Sequence, residues 1–337
     1  MLIYPILFSL YLFDLLGFLR YFLRKVHISF IFSHPLAEKS NRKGDVFMFF
    51  PRSDLALETA LTLSPDSREG IAVREHRHGC ITLTCVTIQT PQAAKRMNKP
   101  CGNYITVQTP PLWNSLLDPQ QEIDAVADCI RHFLPKNGVV LIVGLGNRSI
   151  TPDALGPMVA ERIIATRHLG ASLAEQLGLS SLRKTAAIAP GVMGQTGIET
   201  GEIVRSVVSF LKPSAVIAID ALAAQDYERL GKTIQISDSG ISPGSGVQNS
   251  RKELSQTTLG VPVLSVGVPT VIDGASLARS LSENDTDCPD CTKADSAMVT
   301  PREVDRMIGH SAKFIAFAVN KALYPQLSLE EISFLCS

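Results

Sequence analysis

The sequence predicts an α/β protein whose mostly parallel, twisted sheet is flanked by helices and carries an antiparallel N-terminal extension. Three observations lead to this fold class. Residues 139–143 are all apolar and end in glycines, as a buried parallel strand does. A helical stretch, 201–211, precedes a second apolar run, 214–219, in the order of a parallel crossover. Residues 71–75 and 80–88 alternate apolar and polar side chains, which favours a hairpin with one wet face.

The first 47 residues are expected to be an apolar extension and linker outside the fold, followed by a single α/β domain over 48–337. Residues 1–19 are mostly apolar, with Asp14 inside the run. A membrane span needs about 20 apolar residues, and an acid near its centre costs roughly 2.5–3.5 kcal/mol. Three interpretations stay open: a membrane anchor over residues 1–25, a packed or flexible extension, and translated upstream sequence. The last is favoured, with a start near Met48.

The remaining elements follow from periodicity and from stop signals. Helices are predicted where apolar residues recur every three or four positions, and strands where short apolar runs end in Gly or Pro. The predicted helices are 119–134, 157–164 and 301–323, and the further strands are 185–190 and 261–269. The helix at 157–164 is predicted to begin at Pro157, because proline fits a first helical turn but not a helix interior.

Two acids follow two of the predicted strands. Asp153 lies on the loop after 139–143, and Asp220 comes directly after 214–219. Ligands bind in the crevice outside the carboxyl ends of strands in open α/β sheets. Two carboxylates delivered to that crevice can divide acid and base roles. The alternative for Asp153 is a turn or capping acid.

Several motifs in order resemble the germination protease family of spore-forming bacteria, and the resemblance covers the chain from about Phe49 to the C-terminus. The matching stretches are Arg52-Ser-Asp54-Leu-Ala, Lys99-Pro-Cys-Gly-Asn-Tyr104, Gly144-Leu-Gly-Asn-Arg-Ser-Ile-Thr-Pro-Asp153, Ala189-Pro-Gly-Val-Met-Gly-Gln-Thr-Gly197, Glu199-Thr-Gly-Glu202, Ala218-Ile-Asp220-Ala, Gly240-Ile-Ser-Pro-Gly-Ser-Gly-Val247, Arg251-Lys-Glu-Leu254, Val266-Gly-Val-Pro-Thr-Val271 and Met298-Val-Thr-Pro-Arg-Glu303.

The resemblance implies an endopeptidase that degrades small acid-soluble spore proteins in the cytoplasm of the spore core. It implies an atypical aspartic protease whose essential aspartates match Asp153 and Asp220, with a fold similar to that of hydrogenase maturation proteases. It also implies a homotetramer, made as a zymogen that trims a short propeptide somewhere around 48–55. At that junction, Asp54 and Glu58 are expected to cap and charge a short helix.

Five further residues are candidates for substrate binding or for the rim of the site. Glycines between 191 and 201 could expose backbone amides to a substrate strand or a charged oxygen, or the turn could be a plain surface loop; the resemblance favours the rim of the site. The candidates are Asn147, Gly194, Gly197, Glu202 and Ser242. Many family members have histidine where Ser242 stands, so any role there is weakened. Gly240-Ile-Ser-Pro-Gly244 is not a serine-hydrolase elbow, because it does not open a helix after a buried strand.

Composition argues against several other classes of function. The chain has 32 basic and 32 acidic residues, so it has no net positive charge that would attract nucleic acid or a membrane surface. Seven cysteines at irregular spacing favour a reducing compartment. Gly144-Leu-Gly146 lacks the third glycine of a dinucleotide fingerprint, because Ser149 stands there. A non-catalytic interaction protein remains an alternative.

No metal or cofactor is expected. His76, His78 and Cys80 lack a matched second half of a zinc site, and Cys288-Pro-Asp-Cys291 is a lone C-x-x-C interpreted as a loop. The stronger rival is a hydrogenase-maturation-like, metal-dependent endopeptidase in which the two acids bind nickel. Nickel generally favours imidazole, and no histidine stands between His168 and His310.

We predict that a chain beginning at Met48 folds, assembles and cleaves substrate like the full chain. The full chain should instead aggregate or adhere to membranes, because an exposed apolar segment of about 20 residues is unstable in water. Solubility and activity measurements on both chains test this. If only the full chain is soluble and active, residues 1–47 are a working part of the protein.

Overall fold

The computed structural model describes residues 53–78, 81–112, 119–176, 181–242, 252–281 and 297–336. All of them belong to one of the two units into which the chain divides, Phe50–Ser337. The expectations for residues 1–47, for most of the propeptide junction, for Cys80 and for the Cys288–Cys291 pair lie outside the described residues. None of the described helices is long and apolar enough to cross a membrane.

The described strands form one sheet. They are β1 (Ile71–His78), β2 (Ile81–Ile88), β3 (Gly102–Gln108), β4 (Val140–Gly144), β5 (Thr185–Ile188), β6 (Ala215–Ala224), β7 (Thr233–Ser237), β8 (Val263–Asp273) and β9 (Met298–Val299). Their spatial order is β1-β2-β3-β7-β8-β6-β4-β5, with β9 paired to β8.

Helices cover both faces of this sheet. They are α1 (Ala56–Thr62), α2 (Pro91–Met97), α3 (Gln120–Phe133), α4 (Leu155–Ala160), α5 (Ala171–Gln176), α6 (Met193–Thr196), α7 (Thr200–Leu211), α8 (Gln256–Leu259), α9 (Gly274–Leu281), α10 (Val304–Leu323) and α11 (Leu329–Leu335). Short 3-10 turns lie at Pro65–Arg68, Thr151–Asp153 and Tyr227–Arg229.

The central strands divide their side chains between two cores, because successive residues of a strand point to opposite faces. Val140 and Ile142 pack in a large core that includes α3, α4 and α10. Leu141 and Val143 pack on the other side, where α7 supplies Val204 and Val208. Both faces of β4 are therefore dry, which explains why this strand is apolar at every position.

The predicted α/β class with a helix-flanked sheet is confirmed, but the sheet is more mixed than expected. Among the described strands, β4, β5, β6 and β8 pair in parallel, and the other five pairings are antiparallel. The antiparallel part is larger because two strands that were not predicted, β3 and β7, lie between β2 and β8. Together they join the predicted N-terminal hairpin, β1 and β2, to the parallel strands.

The predicted helices 119–134 and 201–211 are found as α3 and α7 within one residue at each end, whereas 301–323 begins three residues later than predicted, at Val304. The predicted helix 157–164 also differs. Helix α4 begins at Leu155 and ends at Ala160, so it starts two residues before Pro157 and is shorter than predicted. Pro157 is thus the third residue of the helix, still within the first turn, where its missing N–H has no intrahelical partner to lose.

Candidate active site

A cavity of about 530 Å³ lies at the carboxyl edge of the parallel strands, and both predicted catalytic acids line it. Asp153 reaches it from the turn after β4, and Asp220 from β6 itself. Four of its described lining residues are acids and one, Lys99, is basic; the acids are Asp54, Asp153, Asp220 and Glu253. The structure therefore brings the two aspartates to one concave site, as the strand-end argument predicted.

Asp153 is held by the turn that follows β4. The N–H of Asn147 donates to Asp153 Oδ2 at 2.7 Å, and the 3-10 turn is tied to β8 by Thr270 Oγ1, which donates to the Pro152 carbonyl at 2.8 Å. Gly146 has a φ of +108°, and a Cβ there would lie 2.1 Å from the Asp153 carbonyl oxygen. Only glycine therefore allows this approach.

Asp220 is 5% exposed and stands where β6 loses its partner β4, whose pairing ends at Ile219. Its Oδ1 accepts the N–H of Ala221 at 2.9 Å. Across the sheet, Asp220 pairs with Gly267 on β8, and Gly267 pairs with Gln235 on β7. Paired residues project to the same face, so Asp220 and Gln235 flank a position that has no side chain.

The segment before α1 occupies one wall of the cavity. Asp54 pairs with Ala223 on the free edge of β6: its N–H donates to the Ala223 carbonyl at 2.9 Å, and its Oδ2 accepts the Ala223 N–H at 2.8 Å. Leu55 is fully buried beside Leu222 and Leu230. The chain therefore adds a short extended segment to β6, just beyond Asp220.

The expectation that Asp54 and Glu58 cap and charge a short helix is met only in part: Glu58 lies in the first turn of α1, but Asp54 does not cap it. Leu55, not Asp54, is the N-cap of α1, and it makes no side-chain cap hydrogen bond. Asp54 bonds Ala223 instead. Glu58 is buried and accepts the N–H groups of Gln225 at 2.8 Å and Asp226 at 3.0 Å, with Arg229 Nε 3.3 Å away. Burial raises the pKa of Glu58, and its hydrogen bonds and Arg229 only partly oppose that rise.

Lys99 enters the cavity from a rigid corner. Helix α2 ends at Asn98 in the left-handed conformation, the Lys99 N–H bonds back to the Ala94 carbonyl at 3.1 Å, and Pro100 follows. The Tyr104 hydroxyl donates to the Pro100 carbonyl at 2.7 Å. Burial lowers the pKa of Lys99, opposed by the charges of nearby acids, and burial raises the pKa of Tyr104 to about 12. Tyr104 is therefore a neutral donor at physiological pH.

Comparison with known protein families identifies the family of this chain. Residues 55–283 match the family model described as germination protease. The chain belongs to the germination protease family. It is therefore a peptidase, and the matched range contains both Asp153 and Asp220.

Full-length relatives agree with this assignment. The germination protease of Caldanaerobacter subterraneus subsp. tengcongensis is 40% identical over 84% of this chain and 97% of its own length. That of Clostridium tetani is 37% identical over 84% and 98%. Among solved structures, the [NiFe] hydrogenase maturation protease HycI from Thermococcus kodakarensis aligns with 57% of this chain and 98% of its own, at a TM-score of 0.34 and 17% identity.

The five predicted rim residues of this family member do not all reach the cavity. Asn147 and Ser242 line it. Gly194 lies in α6, and Gly197 ends that helix with a φ of +71°; both are exposed and outside the lining. Glu202 is also outside it and forms an exposed ion pair with Lys252 at 2.9 Å, which lowers the Glu202 pKa. Asn147 connects the cavity lining to α6, because its Oδ1 accepts a hydrogen bond from Gln195 Nε2 at 2.7 Å.

Three lining residues that bond one another were not predicted to reach the cavity. They are Asp54, Lys99 and Gln235. Gln235 sits in Thr-Ile-Gln-Ile-Ser, whose alternation is the signal of a strand with two different faces. Lys99 was visible only as part of a motif. Within the described ranges, no group of three or more His, Cys, Asp or Glu side chains is arranged to hold a metal ion.

We predict that Gly146→Ala lowers peptidase activity by about 10²-fold, because a shift of about 1 Å in a positioned catalytic group costs roughly that much. Alanine at this φ should also lower the free energy of unfolding by roughly 1–3 kcal/mol. Activity and thermal unfolding are measured together. Gly309→Ala in α10 is the control, because nothing lies within 4 Å of its added Cβ and its φ is not positive. Wild-type activity in Gly146→Ala would contradict the assigned role of the turn.

Proposed function

We propose that this chain is an endopeptidase that initiates degradation of small acid-soluble spore proteins during germination, with water activated by Asp153 and Asp220. The observation behind this proposal is that the two aspartates line one cavity in a chain of the germination protease family. The family name supports germination and proteolysis. The substrate class is what the resemblance of the sequence to that family implies.

In this mechanism one carboxylate removes a proton from water as the water attacks the scissile carbonyl carbon. The other, protonated, gives its proton to the leaving nitrogen. Two carboxylates facing one cavity favour this division, because like charges close together disfavour double ionisation. Such a pair titrates as a unit, so the acid and base roles belong to the pair rather than to a fixed residue.

The proposal includes synthesis as a zymogen that trims its own N-terminus near Asp54. The position of that segment supports it, since Ser53 and Asp54 lie against the cavity wall. Assembly as a homotetramer and location in the spore core belong to the same proposal. They rest on the resemblance in sequence alone.

Asp153→Asn and Asp220→Asn are each predicted to leave the fold intact and to remove nearly all cleavage. General acid–base groups contribute on the order of 10²–10⁴-fold, and loss of either member should cost at least that. The measurements are cleavage of a purified small acid-soluble spore protein and mass spectrometry of the protein's own N-terminus. Asp128→Asn, an exposed acid of α3, is the control. Near wild-type cleavage by either active-site variant would disprove the assignment.

Activity is predicted to survive treatment with EDTA, and the purified protein should hold no stoichiometric nickel or zinc. Neither aspartate motif has a neighbouring histidine or cysteine, which are the usual partners of these metals. Cleavage rates before and after chelation, with metal analysis of the same sample, test this. Loss of activity that one added metal restores would favour the nickel-dependent alternative.

A further inference from the structure

One peptide carbonyl in the cavity receives two side-chain donors. The Asp54 carbonyl oxygen accepts from Gln235 Nε2 at 2.8 Å and from Lys99 Nζ at 3.0 Å. Oxyanion holes place two donors about 2.7–3.1 Å from the oxygen that becomes negative. A buried ammonium and an oriented amide at these distances polarise the carbonyl of the Asp54–Leu55 bond.

The amide of Gln235 is oriented by a third contact. Its Oε1 accepts the N–H of Ala56 at 2.7 Å, so its Nε2 is turned toward the Asp54 carbonyl. Lys99 likewise has little freedom, because its backbone is fixed between the end of α2 and Pro100. The Lys99 ammonium spans two successive carbonyls, since it also donates to that of Ser53 at 3.0 Å. These donors need little reorganisation when charge develops on the oxygen.

The position of this carbonyl relative to Asp220 follows from strand register. Asp220, Gly267 and Gln235 form one row across three neighbouring strands and project to the same face. Neighbouring strands lie about 4.8 Å apart, so the outer two Cα atoms are separated by about 10 Å. Because Gly267 has no side chain, the Leu222 side chain packs over it, and Asp220 and Gln235 both line the cavity. A Cβ at Gly267 would lie 2.6 Å from Leu222 Cγ.

We propose that Lys99 and Gln235 form the oxyanion hole of this peptidase, and that the structure shows it holding the carbonyl of the chain's own Asp54–Leu55 bond. The inference rests on the proposed function, because it needs the aspartate pair to activate water. It adds two catalytic residues that contact the reacting carbonyl directly.

The step balances as a hydrolysis. Water oxygen bonds to the Asp54 carbonyl carbon, one carboxylate takes a proton from that water, and the carbonyl oxygen becomes an oxyanion held by Lys99 and Gln235. The C–N bond to Leu55 then breaks as the second carboxyl group protonates the leaving nitrogen. The products are the α-carboxylic acid of Asp54, which then releases its proton to solvent, and a free amino group on Leu55; no oxidant or metal takes part.

The experiment follows self-trimming of freshly synthesised full-length chain by mass spectrometry. Lys99→Met removes the ammonium while keeping an unbranched side chain, and Gln235→Glu removes the amide donor while keeping an acceptor for Ala56. Each is expected to lower the first-order trimming rate on the order of 10²-fold. Lys95→Met is the matched control, because Lys95 is exposed on α2, the helix that precedes Lys99, and does not line the cavity. It should trim at the wild-type rate.

A second measurement separates catalysis from a merely structural hold on the segment. In the Asp153→Asn background, which should not trim, amide hydrogen exchange at Asp54 reports its bond to the Ala223 carbonyl. Adding Lys99→Met should change the protection of this amide by no more than about threefold. That change is small beside the loss of trimming rate, on the order of 10²-fold, expected when an oxyanion donor is removed. Loss of protection would show that Lys99 only holds the segment and would overturn the inference.

The pH profile gives a third readout. Burial lowers the Lys99 pKa, so the wild-type trimming rate should fall at alkaline pH as the ammonium loses its proton. Lys99→Arg should keep activity to higher pH, because guanidinium stays charged. The charges of Asp54 and Glu58 favour the ammonium. The wild type and the Lys99→Arg variant share the other titratable groups that line the cavity, so these groups affect both pH profiles alike. They are Tyr104, Asp153, Asp220 and Glu253.

The outcomes separate the two proposals. If Lys99→Met or Gln235→Glu trims at the wild-type rate while Asp153→Asn does not trim, the oxyanion hole is wrong and the aspartate mechanism stands. If the wild type does not trim, or Asp153→Asn and Asp220→Asn trim as fast as the wild type, the proposed function fails and the inference fails with it. Slow trimming in both oxyanion variants, with Asp54 still protected, supports the inference.

Discussion

The site depends on how closely the turn after β4 approaches the end of the sheet. Residues 145–153 reverse the chain within a few positions, and the Asp153 backbone comes so near Gly146 that no side chain fits between them. The Asn147 N–H then reaches the Asp153 carboxylate, and Thr270 fixes the same turn to β8. With Asp220 already on a rigid strand, this contact decides whether the second carboxylate faces the same cavity.

Much of the parallel half was predictable from sequence because its strands are dry on both faces. The runs 139–143 and 215–219 contain no polar residue to confuse the pattern; the second is followed directly by Asp220, and the first by the glycine-containing loop that carries Asp153. The prediction missed β3, β7 and β9, and the five residues of β7 alternate because its two faces meet different surroundings. Asp54, Lys99 and Gln235 could not be grouped from sequence, since tertiary packing alone brings positions so far apart to one carbonyl group. The predicted capping role of Asp54 failed for the same reason: its carboxylate bonds the backbone N–H of Ala223 on β6.

The free edge of β6 links the fold to peptide recognition. Beyond Ile219, none of the described strands pairs with β6 on the β4 side, and the backbone groups of Ala223 bond Asp54 instead. Strand addition of this kind recognises a peptide by its main chain, while neighbouring pockets read side chains. Here Leu55 fills an apolar pocket and the Asp54 carboxylate meets a backbone N–H. The same wall that supports Asp220 is therefore suited to hold an extended peptide beside it.

Because residues 53–56 are covalently joined to the cavity they occupy, they compete with any external peptide as a tethered ligand. A short tether corresponds to an effective concentration on the order of millimolar, and it is independent of how dilute the protein is. An outside ligand meets an open groove only in the fraction of molecules whose segment has left, and its apparent affinity falls by that fraction. Peptides or inhibitors screened against the intact chain would therefore show an apparent affinity below their intrinsic affinity. The ratio of the two affinities measures the stability of the Asp54–Ala223 pairing.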